Sequence, residues 1–206
     1  LYFNGEYSGH QPYSPSYPWT LSAGDGTKTL YGGFQNHASM WSHYLEGDCL
    51  ATIILDQTEP QSSISSVPDL VTSAPVSIPW TASDSLSGVS AVELYVLQEG
   101  GTWSNSGLAP QSGTSGTFQY APPTDGRYYA QTVATDGAGN QEPVPSGSVP
   151  GGQDFMYDAN PPASEVDGCP AQANGTFSVH YAASDGTGSG LNFVNLWYRK
   201  DAGSWA

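Results

Sequence analysis

The sequence has little positive charge. Only 4 of its 206 residues are Lys or Arg, against 19 Asp and Glu, and the formal net charge is −15. Proteins that bind nucleic acid neutralise phosphates with clustered cations, so the scattered distribution here argues against DNA or RNA as a partner. The four cations are Lys28, Arg127, Arg199 and Lys200.

Long apolar runs are also missing. The longest candidate, Cys49 to Leu55, is seven residues long and contains a Thr, whereas a membrane-spanning helix needs about 18 or more apolar residues. We therefore expect no membrane span. The sequence starts at Leu1 without a basic and apolar leader, and we expect either that a signal was removed or that the segment comes from a longer polypeptide.

Cysteine and catalytic motifs are equally sparse. The two cysteines, Cys49 and Cys169, lie 120 positions apart, outside any Cys-x-x-Cys pair, so we expect no structural zinc. No nucleophile elbow, phosphate-binding loop or His-Glu-x-x-His is present, and we expect no enzyme. The histidines share no metal-ligand spacing, and the acid pair of Glu46 and Asp48 reads as solvated charge. The histidines are His10, His37, His43 and His180.

What the sequence has in quantity is turn formers and aromatic residues. It contains 25 Gly and 16 Pro, and aromatic residues make up 12% of the chain. A disordered chain is poor in aromatics, and long helices do not tolerate this much Gly and Pro. The composition predicts a folded protein of many short strands joined by tight turns.

An internal repeat organises the chain. The stretch Asp56-Gln-Thr-Glu-Pro60 returns as Asp158-Ala-Asn-Pro-Pro162, a separation of 102 residues. A second match runs towards the start of the chain, where Asn36-His-Ala-Ser-Met40 corresponds to Asp136-Gly-Ala-Gly-Asn140 in altered form.

These matches divide the chain into three segments. We expect residues 56–157, the middle segment, to form one complete repeat. Residues 1–55, the first segment, correspond to the C-terminal half of a repeat, and residues 158–206, the last segment, to the N-terminal half of another. The two halves are complementary, and joining Ala206 to Leu1 on paper restores a third repeat.

Hydrophobic alternation predicts the strands of each repeat. Val76, Ile78 and Trp80 alternate with polar residues or Pro, and Phe177, Val179 and Tyr181 hold the same places in the last segment. Such a period of two indicates strands with one buried face. The next strand is predicted at Val92, Leu94 and Val96, and its counterpart at Val194, Leu196 and Tyr198. The spacing of strands and turns indicates a sandwich of about seven strands per 100 residues.

At this point the chain resembles a family, the tandem bacterial Ig-like or fibronectin type III-like domains of large secreted and surface proteins. The resemblance rests on the run from Trp19 to Thr29, on Ile54-Leu-Asp-Gln-Thr-Glu-Pro60, and on Ser87-Gly88 with Asp136-Gly-Ala-Gly-Asn140. Asp125-Gly-Arg-Tyr128 also has the form of a tyrosine corner. The resemblance implies an all-β fold of tandem sandwiches, with one complete domain and two complementary half-domains.

The resemblance also implies a function. Such domains serve as spacers, stalks or adhesive arrays, so we expect a non-catalytic segment of an extracellular or cell-surface fibre, stalk or adhesin shaft. Its half-domains are completed by head-to-tail copies of the same chain or by continuation of the chain. The alternative is a carbohydrate-binding accessory module of a secreted hydrolase, with surface glycans as partners.

The cysteines bear on the half-domains. First and last strands commonly lie side by side in Ig-like sandwiches, so Cys49 and Cys169 would meet in a restored domain. We expect a disulfide between them in an oxidising setting, and two free buried thiols remain the alternative. Asn174-Gly-Thr176 is an N-glycosylation sequon.

Two ligand classes remain open. No cofactor is expected, although acidic turns offer oxygen ligands of the kind Ca²⁺ prefers, and Asp also caps turns by itself. The acidic positions are Asp25, Asp56, Asp84, Asp136, Asp158 and Asp185. Tryptophans either stack on sugars or pack in cores and junctions. The tryptophans in question are Trp19, Trp41, Trp103 and Trp205.

Overall fold

A computed structural model describes residues 2–3, 6–7, 11–42, 50–200, 203 and 205. All regular structure in these ranges is β, as the composition predicts, and none of it is helical. Accordingly, no helix in the described ranges is long and apolar enough to cross a membrane. The strands are β1 (Tyr2–Phe3), β2 (Glu6–Tyr7), β3 (Gly26–Tyr31), β4 (Leu50–Leu55), β5 (Gln61–Ile64), β6 (Leu70–Val71), β7 (Val76–Ser83), β8 (Val89–Gln98), β9 (Ser104–Asn105), β10 (Ser115–Tyr120), β11 (Gly126–Asp136), β12 (Gln153–Tyr157), β13 (Ala163–Gly168) and β14 (His180–Ser184).

The middle segment forms two facing sheets. One has the strand order β10-β7-β5, and the other has the order β6-β12-β11-β8-β9. The alternation of Val76, Ile78 and Trp80 is confirmed, since all three are buried in β7 while Ser77 and Thr81 are exposed. Residues from both sheets belong to one hydrophobic cluster, as expected for a β-sandwich.

Aromatic side chains fill the space between these sheets. Tyr128 and Phe155 stack with their ring centroids 5.7 Å apart, and Trp80 lies 6.1 Å from Phe118. The Tyr128 hydroxyl donates to the carbonyl oxygen of Thr124 at 2.8 Å, which is the hydrogen bond of a tyrosine corner. The buried ring is thereby anchored at the start of β11.

The first segment repeats the strand register of the middle segment. β3 pairs with β4 so that Gly26 lies opposite Leu55, and β11 pairs with β12 so that Gly126 lies opposite Tyr157. Each pair continues from that point in the same antiparallel sense. The last strand pair of the predicted repeat is therefore built twice in the same way.

The hairpin after each of these strands also recurs. Asp136 N–H donates to the carbonyl oxygen of Asn140 at 3.0 Å, and Asn36 N–H donates to that of Met40 at 3.0 Å. A two-residue bridge follows in both places, with Thr135 opposite Gln141 and Gln35 opposite Trp41. The altered sequence at 36–40 thus keeps the backbone hydrogen bonds of residues 136–140.

The outer edge of β3 holds an unexpected strand. β1 pairs with it so that Tyr2 lies opposite Tyr31 and Phe3 lies opposite Leu30. In the middle segment the corresponding edge of β11 is taken by β8. Joining Ala206 to Leu1 therefore does not restore the repeat simply, because residues 2–3 already occupy a place that the joining scheme left to the last segment.

The last segment begins like the middle one. In β13 and β14, Val166 lies opposite Tyr181, as Ile64 of β5 lies opposite Trp80 of β7. The burial differs, however, because Tyr181 is 55% exposed whereas Trp80 is 1% exposed. A two-stranded sheet has no second layer to cover its apolar side chains.

Two strand predictions are wrong in the last segment. Phe177 and Val179 precede β14, which begins only at His180, and residues 190–199 contain no strand. The physical reason is the missing neighbour. β8 is held by β11, and among the described residues the last segment has no strand in the position of β11.

The middle segment connects to its neighbours at opposite ends. Near its first residue, Asn140 Nδ2 donates to the carbonyl oxygen of Asp56 at 3.0 Å, beside the C-terminal end of β11. Its last strand reaches Tyr157 opposite Gly126, at the N-terminal end of β11. With 11 residues at about 3.3 Å each, β11 separates the two connections by roughly 35 Å.

Candidate functional site

The main cluster of titratable groups lies at the end of the middle segment where the chain enters it. Asp56, Asp84 and Asp136 each bring one carboxylate oxygen within 4.8 Å of the others. We call these three residues the acidic cluster. Asp136 and Asp56 are buried, and Asp84 is half-buried. Other groupings of this kind do not occur among the described residues.

Asp136 is held by four N–H donors. Its Oδ1 accepts from the backbone N–H of Ala138, Gly139 and Asn140 at 2.7 to 2.8 Å, and its Oδ2 accepts from Asn140 Nδ2 at 2.7 Å. Burial pushes the pKa of Asp136 up, but the donors from Asn140, Gly139 and Ala138 push it down further. The net pKa is lowered, so Asp136 is a carboxylate at neutral pH.

The other two members also accept backbone hydrogen bonds. Asp56 Oδ2 accepts from Ser87 N–H at 3.0 Å. Asp84 Oδ1 accepts from Leu86 N–H at 3.0 Å and from Gly88 N–H at 2.7 Å. These contacts bring the start of the segment and the turn before β8 together with the hairpin after β11. Backbone donors therefore offset much of the negative charge.

The acidic cluster supplies too few oxygen ligands for a complete calcium site. Ca²⁺ takes about six to eight oxygen ligands, and three carboxylates supply only part of that set. Of the six predicted acidic ligands, the structure brings three together here and places Asp25, Asp158 and Asp185 elsewhere. Local sequence patterns predict these turns but not their proximity. What could have indicated it is that Asp158 and Asp185 recur at nearly the separation of Asp56 and Asp84.

The last segment reproduces two-thirds of this cluster. Asp158 Oδ2 accepts from Ser189 N–H at 2.8 Å, and Asp185 Oδ2 accepts from Gly190 N–H at 2.7 Å. A Cβ placed on Gly188 would stand 2.8 Å from an Asp158 oxygen and 2.7 Å from an Asp185 oxygen, so the two carboxylates flank this glycine. Hydrogen bonds from the Ser189 side chain and N–H lower the pKa of Asp158.

A second recurring feature joins one segment to the next. Asp25 Oδ1 accepts from the backbone N–H of Gln57 at 2.8 Å, and its Oδ2 accepts from the Thr58 hydroxyl. Asp125 repeats the arrangement, since its Oδ1 accepts from the backbone N–H of Ala159 at 2.9 Å and its Oδ2 accepts from Asn160 Nδ2 at 2.7 Å. Thr187 Oγ1 adds a bond to the Asp125 carbonyl oxygen at 3.0 Å. We call these contacts the junction clasps; sequence reasoning missed them.

The predicted aromatic platforms differ in exposure. Trp103 is half-buried, and its Nε1 donates to the Val149 carbonyl oxygen at 2.9 Å. Trp19 is also half-buried, whereas Trp41 and Trp205 are exposed. The Arg199 guanidinium lies 4.8 Å from the Trp205 ring centroid. Trp103 thus fits a packing role, and the exposed pair keeps sugar stacking open as a hypothesis.

Of the remaining predicted positions, the structure describes four and shows that all four are exposed. Asn174 is exposed, as a glycosylation acceptor must be, and His37 and His180 are exposed too. Cys169 is exposed and free, whereas its predicted partner Cys49 lies outside the described residues, so the disulfide stays a prediction. The other positions outside the described residues are His10, His43, Glu46 and Asp48.

One open pocket adjoins the sandwich between β5, β11 and β12. It measures about 420 Å³, and its lining contains no titratable side chain. Its polar groups come from residues such as Ser62, Gln131, Thr132 and Gln153. Nothing in this lining supplies acid, base or nucleophile in an activated state.

Comparison with models of known protein families finds no match for the chain. A search among curated proteins also finds no match.

Proposed function

We propose that this chain is a non-catalytic structural segment of an extracellular or cell-surface fibre, stalk or adhesin shaft. Its units are Ig-like or fibronectin type III-like sandwiches joined end to end. The first and last segments are half-units, completed by neighbouring copies or by continuation of the chain. The observation that carries the proposal is the junction clasp, which recurs at both connections of the middle segment.

The clasps favour a stiff shaft over an array of units joined by flexible linkers. Asp25 and Asp125 each hold the first residues of the next segment by a backbone and a side-chain hydrogen bond. Hydrogen bonds to the buried Asp125 contribute about 1.5–3 kcal/mol each, and solvent screening reduces the contribution of those to the exposed Asp25. Two or three such bonds per junction restrict rotation between units, since little free linker is left between the last strand of one unit and the clasp of the next.

The geometry of the middle segment supports the end-to-end arrangement. The chain enters the sandwich at one end of β11 and leaves it at the other, roughly 35 Å apart for 11 residues of strand. Units connected in this way extend along one direction instead of folding back. The tyrosine-corner hydrogen bond of Tyr128 and the two-sheet strand order support the Ig-like assignment.

Exposure supports the interpretation of the last segment as a half-unit. Leu196 and Val194 are 61% and 45% exposed, whereas their counterparts Leu94 and Val92 are at most 1% exposed. The same kind of side chain is therefore buried where a second sheet covers it and bare where none does. An apolar surface of this kind marks an interaction site.

The alternative is a carbohydrate-binding module, which draws on the exposed rings of Trp41 and Trp205. Stacking on such rings is a common way for proteins to hold sugars. Binding of a polysaccharide by the whole chain, lost in a Trp41→Ala/Trp205→Ala variant, would favour this alternative.

Solution scattering of the chain, with electron microscopy of the native material, tests the shaft. We expect an elongated particle to which each unit adds about 35–40 Å of length. An Asp125→Ala variant should increase the spread of particle shapes, and Asp69→Ala, an exposed position, serves as its control. A compact particle, or identical flexibility in both variants, would contradict the proposal.

A further inference from the structure

We propose that the apolar face of the last segment is covered by the first segment of a second copy of this chain, and that β1 competes for that place. The inference rests on the proposed function and develops the first of its two ways of completing a half-unit, by a neighbouring copy. In this arrangement the first segment of one copy pairs with the last segment of another, and β1 holds the place of the incoming strand until that copy binds.

The face to be covered is large and apolar. Tyr198 is 68% exposed, Tyr181 55% and Phe177 53%. These aromatic residues hold the places of residues that are buried in the middle segment. A fully buried aromatic side chain removes about 150–250 Å² from water, so these three with their aliphatic neighbours amount to roughly 600–900 Å². One side of a standard interface between proteins measures about 800 Å². The face is thus sized for a stable partner.

The first segment has a matching bare surface. Ile53 in β4 is 53% exposed, whereas its counterpart Phe155 in β12 is fully buried. Phe34 is 56% exposed, whereas its counterpart Ala134 is fully buried. The strand register and the hairpin hydrogen bond of this segment repeat those of β11 and β12, which form the C-terminal half of the middle segment. The middle segment therefore serves as a template for how the two surfaces meet.

The template fixes the register. In the middle segment Ala130 lies opposite Val96, and Ala134 lies opposite Val92. Transferred to the two ends, Leu30 of one copy lies opposite Tyr198 of the other, and Phe34 lies opposite Val194. Each bare residue then gains a cross-strand neighbour of the kind that stabilises sheets.

At present β1 occupies this edge of β3. Phe3 lies opposite Leu30, in the register that Val96 takes opposite Ala130. The residues 1–3, Leu-Tyr-Phe, resemble residues 196–198, Leu-Trp-Tyr, in apolar pattern. β1 is two residues long, whereas β8, the template for the incoming strand, is ten. A longer strand with more ladder hydrogen bonds displaces a shorter one when it is present in sufficient concentration.

The acidic residues also suit this pairing. Asn36 stands where Asp136 stands in the middle segment, as the hairpin bonds show. In the composite unit it would face Asp158 and Asp185, so two carboxylates meet an amide instead of a third carboxylate. The like-charge repulsion of the acidic cluster is reduced, and the amide supplies N–H donors for carboxylate oxygens.

The two ends of one copy do not meet each other. The middle segment holds its neighbours at opposite ends of β11, roughly 35 Å apart for 11 residues. The contact is therefore between different copies and does not close on itself, which produces a filament. Each copy adds one complete and one composite unit, an axial repeat of about 70–80 Å.

A cysteine trap tests the register. In a Cys49→Ser/Cys169→Ser background, one preparation carries Leu30→Cys and another carries Tyr198→Cys. Cα atoms of directly opposed strand residues are about 4.5–5.5 Å apart, within disulfide range. Mixing under mild oxidation should give a cross-linked pair of chains. The control, Thr29→Cys with Tyr198→Cys, should give at least tenfold less, because adjacent residues point to opposite faces. No cross-link, or equal yields, would overturn the proposal.

Removal of β1 tests the competition. A chain lacking residues 1–10, and separately a Phe3→Pro chain, should reach half-assembly at a concentration at least tenfold below that of the unaltered chain by sedimentation velocity. Circular dichroism establishes that both variants keep their strands. Unchanged assembly in both variants, or a monomeric unaltered chain at millimolar concentration, would overturn the inference. If scattering shows an elongated particle but the chains do not assemble, only this inference is overturned. If the particle is compact, the proposed shaft is contradicted as well.

Discussion

Replacing Asp136 by Asn removes one negative charge and reverses one hydrogen bond at the centre of the acidic cluster. The carboxylate accepts three backbone N–H groups on Oδ1 and the Asn140 side chain on Oδ2. An amide in its place keeps an acceptor for the backbone but turns an NH₂ group towards Asn140 Nδ2, donor against donor. Asn36 shows that an amide still holds such a hairpin, since its Oδ1 accepts from Ala38 and Met40 N–H.

The expected cost follows from the bonds that are lost. A hydrogen bond to a charged group contributes about 1.5–3 kcal/mol, and the half-buried Asn140 Nδ2 loses this acceptor and keeps only the Asp56 carbonyl oxygen. We expect the free energy of unfolding of the middle segment to fall by about 2 kcal/mol. For a unit of roughly 100 residues this lowers the thermal midpoint by about 10 °C.

The loss of stability in Asp136→Asn should depend on pH. The pKa of Asp136 is lowered from its ordinary value of 3.8. A carboxyl with a lowered folded pKa contributes stability above its unfolded pKa, and that contribution is lost as the pH falls through the folded value. The difference between the parent chain and Asp136→Asn should therefore be full at pH 7 and shrink as the pH is lowered below 3.8.

Urea unfolding followed by tryptophan fluorescence measures the difference, because Trp80 lies in the core of the same sandwich. The control is Asp69→Asn, which changes an exposed carboxylate and should alter stability by no more than about 0.5 kcal/mol. Equal stability of the two variants at pH 7, or a difference that does not change with pH, would refute the reasoning.

Three further predictions concern the same sandwich. Tyr128→Phe removes the hydroxyl bond to Thr124 and should cost about 1 kcal/mol in urea unfolding, against no loss for Tyr129→Phe on the outer face. Gly152→Ala should cost about 2 kcal/mol or more, because Gly152 has φ +72° and a Cβ there would stand 2.2 Å from the Ala130 carbonyl oxygen; an equally stable variant would show that the backbone can shift. Calcium at about 1 mM should leave the thermal midpoint within about 1 °C of its value in chelator, since three carboxylates are half a calcium shell; a rise of several degrees would show that the acidic cluster binds the ion.

Local sequence patterns predicted the strands that have neighbours. The alternation of Val76, Ile78 and Trp80 fixed the buried face of β7, and the apolar run before Asp158 became β12. The same alternation at Val194 to Tyr198 did not produce a strand, because a strand forms only against a partner. Hydrophobic period reports which face would be buried, not whether the partner is present.

The candidate site was less predictable because its contacts join residues far apart in sequence. Asp25 and Asp125 read as ordinary turn residues, and only their hydrogen bonds 32 and 34 positions downstream reveal the junction clasps. The recurrence of Asp-Gly about one period apart was the available signal. The hairpin at Asn36 kept its shape despite a changed sequence, since Asn36 Oδ1 accepts the same two backbone N–H groups that Asp136 Oδ1 accepts in the middle segment.

Hydrogen exchange of the last segment tests the central claim, that an outside strand is needed to complete it. In dilute monomer the amides of residues 191–198 should exchange at nearly the rate of an unstructured chain, while those of β8 stay protected. At concentrations where copies assemble, the same amides should become protected. Protection already present in the dilute monomer would show that residues 158–206 complete themselves and would contradict the account.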